Sequence, residues 1–151
     1  MGCIVMEKRK VNKSIVIGTI GADAHIIGGW VLMHTFKQAG FKVAFLGSIV
    51  PQQDFINAAV EVDADAILVS SSYGMGPIDC EGMRGKCIEA GLDDIILYAG
   101  GSIVAPKEME EKWHEVEKHF TEELGFNRVF KNTVKAKEAL AFLKSDLGIE
   151  D

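Results

Sequence analysis

Several chemistries are argued against by what the chain lacks. No stretch of its 151 residues approaches the roughly 20 consecutive apolar positions that a bilayer span requires. Cysteine is scarce: Cys3, Cys80 and Cys87 form no C-x-x-C pair and leave an odd count, which speaks against a disulfide framework. Basic residues are outnumbered, 16 Lys and Arg against 22 Asp and Glu, for a net charge of −6. They are also scattered, so neither a nucleic-acid surface nor a bidentate arginine clamp for a carboxylate substrate is expected. Phosphate-cradling signatures are missing as well. There is no G-x-x-x-x-G-K-[ST], and the turn from Gly18 to Gly21 is not G-x-G-x-x-G. The opening Met1-Gly2-Cys3-Ile4-Val5-Met6 has its apolar run before its positive charges and no cleavage site after them, unlike a secretory leader, and no Ser or Thr at the sixth position for myristoylation. The expectation is a cytoplasmic protein with no membrane or nucleic-acid partner.

What is present is a strict alternation. Hydrophobic residues make up 48% of the chain and charged residues 25%, ordinary for one globular domain with a sizeable core. Strands are expected at 14–20, 42–47, 66–71, 95–99 and 127–130, the first a continuous β-branched run of the kind a strand buried on both faces requires. Helices are expected at 26–39, 51–62, 78–90, 107–124 and 134–147, several of them closed by glycine. The first places Ile27, Val31, Phe36 and Ala39 on its apolar spacing; Pro51 can open the second because its missing amide donor is not needed there. Cys80 and Cys87, seven apart, would share a face of the third as small buried hydrophobes. Strand followed by helix five times specifies an α/β fold: a doubly wound, five-stranded parallel sheet, flavodoxin-like or Rossmann-like, with helices on both faces and the expected order 2-1-3-4-5. Residues 1–13 read as a loose N-terminal extension and residues 14–151 as the single domain.

In such sheets ligands bind at the carboxyl edge, where the strand order reverses. His25 falls just after the first strand with Asp23 two residues before it, Ser70-Ser71-Ser72 ends the third strand, and Gly100-Gly101 ends the fourth. A carboxylate behind an imidazole fixes its tautomer and raises its basicity, which suits a metal ligand; Asp23 as a helix N-cap with a solvated His25 is the plain alternative. Tetrahedral zinc would want three or four ligands, and only His25 and Asp23 approach one another: His34 lies inside the first helix, and His114 and His119 on a charged, solvated one. Gly28, Gly29, Gly74, Gly76, Gly100 and Gly101 all fall at the same edge, with turn geometry or capping the better reading of Gly74, Gly76 and Gly91. One imidazole beside a long slot of small residues implies a metal that arrives with most of its coordination already filled, as in a corrin.

At this point the residues resemble the cobalamin-binding domain family, whose signature is D-x-H-x-x-G, then S-x-L, then G-G. The counterparts are Asp23-Ala24-His25-Ile26-Ile27-Gly28, Ser70-Ser71-Ser72 and Gly100-Gly101, with 45 residues from His25 to Ser70 and 30 from Ser70 to Gly100. More narrowly the chain is similar to the small sigma-subunit family of glutamate mutases, through 18–25, 53–59, 69–76 and 78–82, with coverage from about Ser14 to Gly148. The resemblance implies adenosylcobalamin bound with its dimethylbenzimidazole displaced, His25 as lower axial ligand of cobalt and Asp23 as its hydrogen-bond partner. It implies that Gly28 lets the nucleotide tail pass, that Ser70 meets the displaced base, and that Gly100, Gly101 and Ser102 line the far wall. Ala22, Ala24, Ile26, Ser71, Ser72, Tyr73, Ile103 and Val104 complete the implied cofactor surround. No catalytic side chain is implied in this chain. A larger (β/α)8-barrel subunit would supply the substrate site for interconverting glutamate and 3-methylaspartate, within a heterotetramer, and the small subunit alone would be inactive. Ser72 departs from the family's Leu, the segment from Lys107 to Leu124 is longer, and Phe130-Lys131-Asn132-Thr133 lacks a proline-rich turn. Small subunits of other adenosylcobalamin mutases, acting on an acyl-CoA or on 2-methyleneglutarate, and non-enzymatic corrinoid carriers or sensors are the alternatives. A receiver-like signalling domain wants an Asp ending the third strand, where Ser70 stands.

Overall fold

The computed structural model describes residues 12–21, 27–72 and 74–149. The expectations for residues 1–11, for 22–26, for Tyr73 and for the last two positions lie outside them. The strands are β1 (Ser14–Thr19), β2 (Lys42–Phe45), β3 (Ala66–Ser70), β4 (Ile96–Gly100) and β5 (Arg128–Val129). All pair parallel, in the order β2-β1-β3-β4-β5. The expected order is therefore observed, with β1 and β3 on either side of the point where the winding reverses. In register, Thr19 stands against Ser70 and Ser70 against Gly100, so three chemically small positions form a row at the carboxyl edge.

Side chains alternate across the sheet with the period of two that extended backbone imposes. Val16, Ile67, Val69, Leu97, Ala99 and Val129 point to one face, where they join Phe55, Met83, Phe120 and their neighbours in a large buried cluster. Ile15, Ile17, Ala66, Leu68 and Tyr98 point to the other, beside Phe36, Phe41 and Leu143. The first face is covered by α2 (Gln52–Val62), α3 (Gly76–Asp79), α4 (Met83–Glu89), α5 (Pro106–Glu111) and α6 (Trp113–Lys118), the second by α1 (Ile27–Gln38) and α7 (Ala136–Asp146).

Two long helices expected from the sequence are broken. The one expected at 78–90 is α3 and α4 with a turn between, because Gly82 takes φ = 81° and reverses the chain. Cys80 and Cys87 consequently sit on different elements rather than on one helix face, yet both thiols are fully buried in the same cluster. Burial, with Asp79 nearby, pushes the Cys80 thiol up to about 12, and burial also raises that of Cys87, so both behave as apolar side chains. The helix expected at 107–124 is α5, α6 and a π-helical turn over His119–Glu123, with Lys112 out of helical geometry (φ −126°, ψ 25°) between the first two. These breaks let Met109, Val116, Phe120 and Leu124 all reach the sheet. His119 pairs with Glu123 on the surface at 2.7 Å, and His114 is exposed. Pro51 sits at the N-cap of α2, in extended conformation, rather than inside the helix. On α1, Phe36 is buried as its spacing requires, but Val31 is 44% exposed and lines an open cavity. Among the described residues no helix is long and apolar enough to cross a membrane.

Candidate functional site

The loops that leave β3 and β4 are laced together by backbone. Ser71 N–H donates to the Gly100 carbonyl (3.0 Å), Gly74 N–H to Ser102 (3.0 Å) and Gly76 N–H to Ile103 (2.9 Å). Such close approach leaves no room for side chains. A Cβ on Gly101, which has φ = 97°, would lie 2.4 Å from the Ser71 carbonyl oxygen, and one on Gly76 would lie 2.8 Å from the Ile103 Cβ. Gly74 and Gly91 take φ of 83° and 84°, the turn and cap roles expected of them, whereas Gly76 is required for packing.

Between the start of α1, the start of α7 and the ends of β3 and β4 lies a cavity of about 700 Å³. Its floor is β3 and β4 from Leu68 to Ser70 and from Tyr98 to Gly100, where Leu68 and Tyr98 turn their side chains to this face while those of Val69 and Ala99 point to the other, and α1 contributes Gly28, Val31, Leu32 and Thr35. Ser70, Gly100 and Gly101 line it at the strand ends; Phe130, Lys131, Asn132 and the first residues of α7 close the far side. A Cβ on Gly28 would stand 3.3 Å from the Ser70 hydroxyl, so the glycine that ends the first motif lies directly over the serine that opens the second. Of the residues singled out in the sequence, the structure thus brings Gly28, Ser70, Gly100 and Gly101 to one cavity. Ser102 stands behind it, its hydroxyl accepting from Asn132 at 3.4 Å. Ile103 and Val104 are buried in the closed core and hold the β4 loop against Gly76 instead of opening onto the cavity. Ser71 is buried and its hydroxyl has no hydrogen-bond partner, while Ser72 is part-buried. Ala22, Asp23, Ala24, His25, Ile26 and Tyr73 lie outside the described residues. Among the described residues no group of three or more His, Cys, Asp and Glu side chains is placed to hold a metal ion.

Two participants were not singled out in the sequence. Thr19 is fully buried at the end of β1 with its hydroxyl unpaired, close beneath Gly29. A hydroxyl closing an otherwise aliphatic strand was the available signal. Tyr98 forms the cavity wall, and its phenol donates to Asp146 near the end of α7. Arg128 grips the same carboxylate with two bonds, at 2.8 and 2.9 Å, and stacks 4.4 Å over Phe142. Desolvation first, then the Asp146 bond, pushes the Tyr98 phenol above its usual value. No local pattern connects positions 98, 128 and 146.

A doubly wound parallel sheet whose β3 and β4 ends, beside the switch point, open into a slot lined by glycine, serine and aliphatic residues has the architecture of a ligand-binding α/β domain. Residues 13–120 match the B12 binding domain family. The chain is 51% identical over 145 residues to the glutamate mutase sigma subunit of Clostridium tetani (strain Massachusetts / E88) and 49% identical over 145 residues to that of Clostridium cochlearium, covering 96% of this chain and 100% of each relative. A cobalamin-binding protein from Desulfitobacterium hafniense DCB-2 shares the fold, with a TM-score of 0.70 at 20% identity over 89% of this chain and 59% of that one. The chain belongs to the B12 binding domain family and, within it, to the family of glutamate mutase sigma subunits.

Proposed function

We propose that this chain is the cobalamin-binding subunit of a glutamate mutase, an isomerase completed by a larger catalytic subunit, and that the cavity between α1 and α7 receives the nucleotide tail of adenosylcobalamin. The observation that carries this reading is the meeting of three separated motif positions, Gly28, Ser70 and Gly100-Gly101, on one slot of about 700 Å³, a volume in the range of small-molecule sites. Absent side chains at Gly28 and Gly100 leave the room a ring system and ribose would occupy. The apolar depth suits an aromatic base, and Ser70 offers it a hydroxyl. When bound, adenosylcobalamin supplies homolysis of its cobalt–carbon bond and hence a radical able to abstract a substrate hydrogen.

The rest is the work of this chain's own residues. His25 would supply an imidazole nitrogen to the cobalt in place of the dimethylbenzimidazole, and Asp23 would accept the other imidazole N–H, fixing which nitrogen is free to bind the metal. Gly28 and the strand ends keep the displaced tail out of solvent. Among the described residues that line the slot there is no arginine to clamp a carboxylate. The substrate site is assigned to the larger subunit, a (β/α)8 barrel that would cap the other face of the corrin.

The test uses the full chain mixed with its larger subunit and cobalamin in the cobalt(II) form, with nitrogen-15 histidine incorporated into the protein. Changed nitrogen splitting in the electron paramagnetic resonance spectrum, absent from His25→Ala, is the expected outcome. Benzimidazole nitrogen still on cobalt in the unsubstituted complex overturns the proposal.

A further inference from the structure

Among the described residues that line the slot, the charged ones are Lys131, Lys135 and Lys137, with no Asp or Glu, in a chain where acidic residues outnumber basic ones 22 to 16. The neighbouring groove of about 520 Å³ along β5 shows what an unselective surface of this protein looks like: Glu117, Glu122 and Glu138 mingle there with Lys118, Arg128 and Lys131. Lys131 leans toward that groove, its ammonium 5.7 Å from the Trp113 ring centre. Glu138, the acid nearest in sequence, is held by the Lys135 backbone N–H at 3.2 Å and does not line the slot. That leaves Lys135 and Lys137, both exposed and both at the start of α7, as the slot's own cations. The positive end of the helix dipole adds to their field.

A purely hydrophobic ligand would give such a rim nothing to bind. We propose that Lys135 and Lys137 are the anion-recognising rim of the slot and hold the phosphodiester of the cofactor's nucleotide tail, so that the protein selects complete cobalamin over corrinoids that lack the nucleotide. The inference rests on the reading that the tail enters this cavity. It assigns the two parts of the tail to two parts of the slot: the base goes to the depth beside Leu68 and Tyr98, and the single negative charge to the rim. Lysine suits a diester that turns as it enters, since its ammonium acts as a point charge without the fixed fork of arginine.

Dissociation constants of the full chain for cobalamin and for cobinamide, which has the same corrin and no nucleotide, provide the test when measured by equilibrium dialysis at low and raised sodium chloride. Lys135→Gln and Lys137→Gln should each weaken cobalamin binding about threefold and the double variant about tenfold, as expected of partly solvated charge pairs. Their cobinamide binding should stay unchanged, and the double variant should lose most of the salt dependence seen with cobalamin. Lys86→Gln, an exposed lysine of α4 outside both cavities, is the charge reference and should change neither. Inorganic phosphate should compete with cobalamin in the unsubstituted protein and not in the double variant. The proposal is overturned if the double variant binds cobalamin as tightly as the unsubstituted chain, or if it loses cobinamide to the same extent. An unsubstituted chain that binds cobalamin and cobinamide equally, with equal salt dependence, removes the reading of the slot itself and this inference with it.

Discussion

The two faces of the sheet are built to opposite ends. Among the described residues, one buries 23 hydrophobic side chains beneath five helical segments and the other eight beneath α1 and α7. The same strands supply both, residue by residue in alternation, so intrinsic strand chemistry is not what separates them. The difference lies in what stands above. Over the closed face come Phe55, Met83, Phe120 and Leu124, and over the open one the positions nearest the strand ends are Gly28, Ala136 and Ala139. Large side chains fill one layer and short ones leave a slot in the other. Stability is therefore concentrated on one side of the sheet and ligand capacity on the other.

That division can be broken by mutation. The largest stability loss is expected on the closed face: Phe120→Ala removes a fully buried ring and should cost about 3–5 kcal/mol in urea unfolding. A loss below about 1 kcal/mol would mean that this face is not the stabilising one. On the open face Gly28→Leu should do the reverse. Its side chain would enter the cavity past the Ser70 hydroxyl, weakening cobalamin binding on the order of 100-fold while unfolding free energy stays within about 0.5 kcal/mol. Retained affinity would show that the tail goes elsewhere.

Smaller effects sharpen the contrast. Tyr98→Phe deletes the phenol's bond to Asp146 and leaves the Arg128 pair, so it should cost about 1 kcal/mol by thermal unfolding, with tail binding reduced because the α7 wall is less well anchored. An unchanged melting temperature would remove this strut from the account. The smallest effect is in acid. Arg128 first, opposed by desolvation and helped by the Tyr98 bond, holds the Asp146 carboxyl below its usual value. The unfolded chain then binds the extra proton more readily, so this contribution is fully present above the ordinary carboxylate value and is lost as pH falls through the depressed native one. Asp146→Asn should flatten the acid limb of the stability curve, and an identical limb in both proteins would rule the pair out as its source.

Reading the chain before its fold recovered the features that are local. Short apolar runs marked every strand to within a residue or two, and Gly28 at the start of the first helix with Ser70, Gly100 and Gly101 at the strand ends are four positions that line one cavity. Misreadings came where a periodic apolar pattern ran unbroken through a bend. Gly82 sits inside such a run and reverses the chain at φ = 81°, while Lys112, an ordinary helix former, interrupts the helical path before Trp113. Val31 keeps helical spacing with Phe36 but is exposed, because spacing says which face of a helix is apolar and not whether the sheet lies beneath every turn of it.

From the order of residues alone came the alternation of elements, the winding of the sheet and the signature positions of a cobalamin-binding domain, since each depends on periodicity and spacing within a few turns of chain. Tertiary structure alone decided that Gly28 of the first helix and Ala136 of the last line one open slot, that Tyr98, Arg128 and Asp146 tie that last helix down, and that the charges among the slot's described residues are lysines. These are relations between residues far apart in the chain, and the distance between two helices packed on one sheet is set by the side chains that meet there, which no local pattern records.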